Sequence, residues 1–277
     1  MIRRAILAAC IAFPIMAQTT TIQPSGSAPA TETRTFALQS GGRLKISNIS
    51  GNVSVSAWDK DEAALTANFK PNSNGEHRLI DVESDKYLLE LIVKNQESKL
   101  KLSKQERKKL PRVVEIGSCD IELKVPRHIL SNINIVNGKV TLNAITGKSI
   151  TNVVNGNIVF ENINGDINGS VVNGHITGSI HNIDVDLNLS TVNGDIKVEL
   201  LNPNGHLRAS TIVGSVKIPS GVKNVTKDEK DIDSLVISSG VQHLTEKNVA
   251  AKFDGNAYMK FRSVRGSITI SIPGFDN

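Results

Sequence analysis

The sequence contains few aromatic residues and almost no cysteine. Phe, Trp and Tyr make up only 4% of its 277 residues, and Trp58 is the single tryptophan. A core with so few rings has to be built mainly from aliphatic side chains, which favours thin, flat layers over a deep globular core. The two cysteines are Cys10, within an N-terminal apolar stretch, and Cys119. Removal of that stretch would exclude a disulfide within the chain, and Cys119 is interpreted as a small packing residue.

Motifs that carry catalysis or bind cofactors are also missing. The sequence has no Gly-x-Ser-x-Gly elbow, no His-Glu-x-x-His pair and no phosphate-binding loop. Its six histidines show no metal-ligand spacing with Cys or Glu. Calcium-binding β-rolls need Gly-Gly-x-Gly-x-Asp in register, whereas Lys, Asn, Asp, His and Ser follow the repeated glycines here. The sequence therefore predicts a non-enzymatic protein with no metal and no cofactor.

Helix signals are sparse, and a glycine repeat dominates the chain instead. The pattern is aliphatic, any residue, glycine, any residue, aliphatic. Its glycines are Gly51, Gly138, Gly147, Gly156, Gly165, Gly174, Gly194, Gly214 and Gly266. Without the weaker copy at Gly147, the central glycines are 18, 9, 9, 20 and 20 residues apart. Regular spacing of this kind indicates a repeat architecture.

The parity of the side chains separates two explanations of this repeat. Asn-Gly is a strong hairpin signal, and a two-residue hairpin would pair the residue three before the glycine with the residue two after it. Five of the eight full copies have a polar residue at the first of these positions. If the chain instead passes through the glycine in extended form, all eight copies place aliphatic residues and the glycine on one face. This favours a parallel β-solenoid with 18–20-residue coils and inward-facing glycines; an antiparallel β-sandwich is the alternative.

The N-terminus has the form of an export signal. Arg3 and Arg4 precede an apolar run that is too short to span a bilayer, and cleavage is predicted after Ala17. The alternative is a lipobox in which Cys10 becomes the lipidated first residue. Residues 18–35 are rich in Thr, Ser and Pro, which is typical of a flexible tether. We expect an exported protein of the periplasm, outer envelope or extracellular space.

The net charge of +5 is concentrated in one segment. The residues that would contact a polyanion are Lys101, Lys104, Arg107, Lys108, Lys109 and Arg112. Such a segment either attracts an anionic lipid or glycan surface or forms a solvated loop between two strands, and the loop is the simpler interpretation. Binding to nucleic acid is not expected, because no aromatic residues interleave with these charges.

The solenoid is expected to begin at residue 36 and to continue to residue 277. It divides into irregular coils at 36–125, regular Asn-Gly repeats at 126–220, and C-terminal coils with a cap at 221–277. The asparagines that precede the glycines have the opposite parity to the core, so stacked coils would align some of them into an amide ladder. These asparagines are Asn137, Asn155, Asn164, Asn173 and Asn193.

Three segments together carry a family resemblance. They are Ile49-Ser-Gly-Asn-Val-Ser-Val-Ser-Ala-Trp-Asp-Lys-Asp61, Ile121-Glu-Leu-Lys-Val-Pro126 and the tandem Val-Asn-Gly-Asp/Asn-Ile units. The combination resembles the DUF4097 family of adhesin-like β-strand-repeat proteins over residues 36–275. The resemblance implies a bacterial envelope-associated β-solenoid and supplies no catalytic residues.

From the sequence we predict an exported, non-enzymatic β-solenoid that acts as an envelope scaffold or an adhesin-like binding surface. Its partner is unknown; an envelope protein, a glycan or an anionic lipid surface would each fit. One alternative is a glycan-binding or glycan-processing β-helix. The other is a lipoprotein involved in envelope stress sensing.

Overall fold

The structure, a computed structural model, describes residues 17–95, 117–183, 185–219, 225–226, 248–253 and 257–274. Every regular element in these ranges is a β-strand. Before the repeats lie β1 (Gln18–Ile22), β2 (Ala30–Ala37), β3 (Arg43–Ser50), β4 (Val53–Trp58), β5 (Glu62–Lys70), β6 (Arg78–Ser84), β7 (Leu88–Asn95) and β8 (Ser118–Pro126). The described part of the chain has no helix that is long and apolar enough to cross a membrane.

The regular repeats form the next ten strands. These are β9 (Leu130–Asn137), β10 (Val140–Asn143), β11 (Ser149–Asn155), β12 (Ile158–Ile163), β13 (Ile167–Asn173), β14 (Ile176–Ile183), β15 (Leu187–Asn193), β16 (Ile196–Pro203), β17 (His206–Val213) and β18 (Val216–Lys217). The last four are β19 (Val225–Thr226), β20 (Asn248–Lys252), β21 (Tyr258–Arg265) and β22 (Ile268–Ser271).

The strands form two mixed sheets, each with a linear strand order. Sheet A has the order β1-β6-β7-β3-β9-β11-β13-β15-β21-β17-β20-β19, and sheet B has the order β18-β22-β16-β14-β12-β10-β4-β8-β5-β2. The repeat strands pair in parallel. Among the described strands, antiparallel pairs occur only towards the ends of the sheets. The fold is therefore all-β and mostly parallel.

The repeat strands alternate between the two sheets. Odd-numbered strands from β9 to β17 belong to sheet A, and even-numbered strands from β10 to β18 belong to sheet B. Ser149 pairs with Ser131, 18 residues earlier, and Ile167 pairs with Leu187, 20 residues later. From β9 to β16, each circuit of the chain therefore returns to the same sheet one strand further along, as the predicted coil length requires.

Aliphatic side chains fill the space between the sheets, with a few rings where glycine leaves room. Phe160 on β12 is fully buried and lies beside Gly178 in the register of sheet B. A Cβ atom on Gly169 of β13 would lie 3.3 Å from this ring. The absence of side chains at these two positions therefore accommodates the phenylalanine in an otherwise thin core.

The repeat glycines occupy two different corners of the coil. Gly147 and Gly165 are buried, and each follows a buried isoleucine, Ile145 or Ile163. These two conform to the predicted inward-facing glycine. The other seven lie at the corner where the chain leaves sheet A for sheet B, with φ between +126° and +150°. They are Gly51, Gly138, Gly156, Gly174, Gly194, Gly214 and Gly266.

At this second corner the predicted parity is wrong. The residue three before the glycine is buried, and the aliphatic residue two before it is 37–65% exposed. The parity prediction assigned polar residues to the outer face. Several of them are buried instead, because they form hydrogen bonds with the backbone. Thr191 Oγ1 donates to the Gly194 carbonyl at 2.8 Å, and the Asn48 amide donates to the Cys119 carbonyl at 2.8 Å. A satisfied polar side chain can occupy an inward position, so polarity did not mark the outer face.

The final repeat is inserted into the stack rather than added to its end. Strand β21 pairs in parallel with both β15 and β17, and β22 pairs with both β16 and β18. Its inward residues Met259 and Phe261 are buried. Phe261 lies beside Ala209 in the register, so a small residue adjoins the large ring. The order of coils in space therefore differs from their order along the chain.

Candidate functional site

An exposed aliphatic row crosses the outer face of sheet A. Its members precede the corner glycines by two residues and lie at matching register positions on seven neighbouring strands. In spatial order they are Ile49, Val136, Val154, Val172, Val192, Val264 and Ile212. With a strand spacing of about 4.8 Å, this aliphatic row is roughly 29 Å long. Contiguous exposed apolar surface of this kind is typical of interaction sites.

A groove of about 620 Å³ lies at the β7 end of this row. Ile92 and the first four members of the aliphatic row line it, together with a parallel row of small polar residues, Ser47, Asn134, Asn152 and Ser170. Lys94 also borders the groove and forms an ion pair with Asp81. The hydrogen bond from Lys94 lowers the pKa of Asp81 more than burial raises it. The groove thus combines apolar contact with amide and hydroxyl groups.

The predicted amide ladder follows the aliphatic row at the corner. Asn155 donates to Asn137 at 3.0 Å, Asn173 to Asn155 at 2.9 Å, and Asn193 to Asn173 at 2.8 Å, each from Nδ2 to Oδ1. The ladder ends at β21, where Arg265 takes the next position. Asn164 does not join the ladder, because it lies at the opposite corner with Gly165. The asparagines that form the ladder stabilise the stack of coils.

Four of the residues that follow the corner glycines accept a hydrogen bond from a backbone N–H of the next coil: Asn52, Asn157, His175 and Asp195. The N–H of His175 donates to Asn157 Oδ1 at 2.8 Å, and the N–H of Asp195 donates to His175 Nδ1 at 3.0 Å. Amide, imidazole and carboxylate acceptors all occur at this position, whereas Lys139 has no acceptor to offer. The described residues contain no group of three or more His, Cys, Asp or Glu side chains placed to hold a metal ion.

A cation cluster lies on the same face at the β21–β17 end. It consists of Arg208 on β17 with Lys260 and Arg262 on β21, and Arg265 extends it at the corner end of β21. Arg208 and Lys260 are direct register partners, as are Ser210 and Arg262. None of the four cations forms an ion pair with any described residue. Sequence reasoning missed this cluster because 52 residues separate Arg208 from Lys260.

Two stacked rings adjoin the cation cluster. His206 and Tyr258 are register partners, and their centroids are 5.3 Å apart with an interplanar angle of 19°. Tyr258 is 61% exposed. Its N–H donates to Asp186 Oδ1 at 2.9 Å, which fixes the start of β21 against the neighbouring coil. Because the rings stack, His206 covers one face of the Tyr258 ring, and only the opposite face is free to contact a ligand.

Three further residues, Cys119, Arg78 and Trp58, make structural contacts. Cys119 is buried, and burial is the largest cause that raises the pKa of its thiol, to about 12. Its neighbour in the core, Arg78, is 1% exposed and donates from Nε to the Gly117 carbonyl at 2.8 Å, a buried cation that the sequence did not indicate. Trp58 donates from Nε1 to the Glu62 carbonyl at 2.8 Å and carries Lys60 over its ring.

Several predicted residues lie outside the described part of the chain. They are Cys10 and the polyanion-contact residues Lys101, Lys104, Arg107, Lys108, Lys109 and Arg112.

No family model and no curated protein matches the chain, so the DUF4097 resemblance depends on the sequence motifs alone. Among solved structures, a putative cell adhesion protein from Clostridium sporogenes is similar at 12% identity and a TM-score of 0.46, covering 88% of this chain and 99% of that one. Putative adhesins from Bacteroides fragilis and Parabacteroides distasonis are each 11% identical, with TM-scores of 0.26 and 0.28, and each alignment covers 88% of this chain and 97% of theirs. Likeness at this level does not bear on activity or partners.

Proposed function

We propose that the chain is an exported, non-enzymatic β-solenoid of the DUF4097 type that acts in the bacterial envelope as an adhesin-like binding surface or scaffold. The observation that carries this proposal is the aliphatic row. It places seven exposed Val and Ile side chains in line on a flat sheet, where water contacts them at 37–65% of their surface. An exposed apolar row with an adjoining polar row suits an extended macromolecular partner.

The parallel pairing of the repeat strands supports the solenoid part of this proposal. Corner glycines, an amide ladder and a constant 18- or 20-residue offset repeat from coil to coil. The repeated residues stack the coils on one another, so binding depends on the residues that face outwards. The outer face of sheet A is where they combine apolar, polar and cationic character.

Site-directed photo-cross-linking tests the binding surface. A photoreactive amino acid replaces Val154 in the aliphatic row, and a matched control replaces Lys197, which is exposed on the outer face of sheet B. On intact cells of the source organism, we expect a discrete adduct from position 154 and none from position 197. The adduct should disappear when Val136 and Val172 are both changed to Ser. Equal labelling from both positions, or none from either, would contradict the proposal.

Mass spectrometry of the mature N-terminus tests export and anchoring. We expect an unmodified chain that begins at Gln18, because cleavage is proposed after Ala17. A lipidated Cys10 would support the lipoprotein alternative, and an intact Met1 would contradict export.

A further inference from the structure

The cation cluster concentrates positive charge on one part of the sheet. Arg208 and Lys260 lie directly opposite each other on parallel strands, where their like charges repel. The adjacent strand β15 presents Asn188 and Ser190 at the register positions of Lys260 and Arg262, and the nearby carboxylate of Asp186 accepts from the Tyr258 N–H instead. Arg262 adds a third cation opposite Ser210. A bound anion would offset this concentration of positive charge, so the cluster attracts negatively charged groups.

The stacked rings indicate the chemical class of the ligand as well as its charge. Tyr258 precedes Lys260 by two residues and Arg262 by four on the same strand, so it has the same outward parity. At about 3.3 Å per residue, the ring lies roughly 7 and 13 Å along the strand from these two cations. The face of Tyr258 that His206 does not cover can pack against the apolar face of a sugar ring, and the cations then meet acidic groups further along a chain of sugars.

The neighbouring polar residues fit a carbohydrate better than a membrane. Ser190 and Asn188 on β15 and Ser210 on β17 surround the cations and can donate to or accept from sugar hydroxyls. A membrane-inserting surface would place apolar side chains on all sides of the cations. Here the exposed Ile212 and Val264 adjoin Arg262 on the corner side only, whereas Asn188 and Ser190 lie at the register positions of Lys260 and Arg262.

We propose that Tyr258, Arg208, Lys260 and Arg262 form a binding site for an acidic polysaccharide whose sugars bear carboxylate or sulfate groups. A sugar ring stacks on Tyr258, and the guanidinium and ammonium groups pair with the acidic substituents of the following units. This inference rests on the proposed binding function of the outer face of sheet A and names the ligand class of one end of it.

Binding of polygalacturonate, measured by isothermal titration calorimetry, tests the site. The site variant combines Arg208→Gln, Lys260→Gln and Arg262→Gln. The matched control combines Lys124→Gln, Lys197→Gln and Lys217→Gln, which removes the same charge from exposed positions on sheet B. We expect the affinity for polygalacturonate to fall by about tenfold or more in the site variant and by less than about twofold in the control.

Changes at Tyr258 separate stacking from charge. Tyr258→Ala leaves the net charge unchanged and should weaken polygalacturonate binding by about fivefold or more, whereas Tyr258→Phe should retain most of it. Thermal unfolding of each variant verifies that the fold is kept. Neutral dextran should not bind.

Several outcomes would overturn the assignment. These are no binding of polygalacturonate, equal loss in the two charge variants, or binding that is indifferent to Tyr258→Ala. Tight binding to phosphatidylglycerol vesicles that the site variant abolishes, without polygalacturonate binding, would assign the cluster to a membrane surface instead. If the cross-link from position 154 persists while polygalacturonate fails to bind, only this inference falls. If polygalacturonate binds but the cross-link is absent, the aliphatic row loses its role.

Discussion

The carbonyl oxygen of Gly138 occupies the space that a Cβ atom on Gly156 would need, since the two positions are 1.8 Å apart. The same overlap, at 1.8 to 2.1 Å, relates each corner glycine from Gly138 to Gly266 to the glycine of the neighbouring coil. The coils therefore approach so closely at this corner that a side chain is excluded by the backbone of the coil beside it. Because this contact requires a glycine in every coil, the glycine repeats along the sequence.

Gly156→Ala should strongly destabilise the protein. Alanine would have to adopt a φ of +149°, which costs about 1–3 kcal/mol, and would also overlap a backbone oxygen. We expect a loss of about 3 kcal/mol or more in chemical denaturation. Gly26→Ala is the control, because Gly26 has a φ of +87° but no atom within 4 Å of its Cβ position. It should show the conformational cost alone, and an equal loss in both variants would disprove the steric argument.

The coil length and the amide ladder could be predicted from the sequence, because both follow from residues repeated at a fixed spacing. The geometry of the corner could not. A pattern of aliphatic, any residue, glycine, any residue, aliphatic occurs both at Gly165, where the chain passes from sheet B to sheet A, and at Gly156, where it passes from sheet A to sheet B. The two differ in whether the residue two before the glycine is buried, as Ile163 is, or 41% exposed, as Val154 is. Local spacing does not encode that difference.

The candidate glycan site was beyond sequence analysis for a different reason. Arg208 and Lys260 become neighbours only because β21 inserts between β15 and β17. Every repeat presents similar inward aliphatic residues, so several stacking orders are compatible with the pattern. The choice among them depends on long-range packing, such as Phe261 beside Ala209.

Replacement of two adjacent valines tests the corrected parity. Val153 is 2% exposed and Val154 is 41% exposed. Val153→Ala removes two buried methyl groups and leaves a cavity, so we expect a loss of about 2 kcal/mol in unfolding free energy. Val154→Ala should cost less than about 1 kcal/mol, which reflects strand preference alone. If Val154→Ala lost more unfolding free energy than Val153→Ala in urea denaturation, the original prediction of an extended chain through Gly156 would be correct.

Asn155→Ala should weaken the stack from its middle. The Asn155 amide donates to Asn137 and accepts from Asn173, so its loss removes two hydrogen bonds. At a net value of about 1 kcal/mol each, we expect a loss of about 1–2 kcal/mol in unfolding free energy, reduced by solvent exposure. Asn164→Ala is the matched control, since Asn164 also precedes a glycine but lies outside the ladder. Equal losses in the two variants would show that the ladder contributes nothing.

The buried thiol of Cys119 should make stability depend on alkaline pH. Desolvation, followed by the nearby charge of Asp120, raises its pKa from 9.0 to about 12, so the folded state keeps the proton that the unfolded state releases. The stabilisation is complete below pH 9 and is lost as the pH rises towards 12. Cys119→Ala lacks this thiol, and the difference in unfolding free energy between wild type and Cys119→Ala should therefore fall over that interval. Lysine and tyrosine titrations occur in both proteins and cancel in the comparison.

Native Cys119 should also resist alkylation by iodoacetamide at pH 8 and react fully in denaturant. Rapid labelling of the native protein, or a constant difference in stability between pH 8 and 11, would show that the thiol is accessible to solvent.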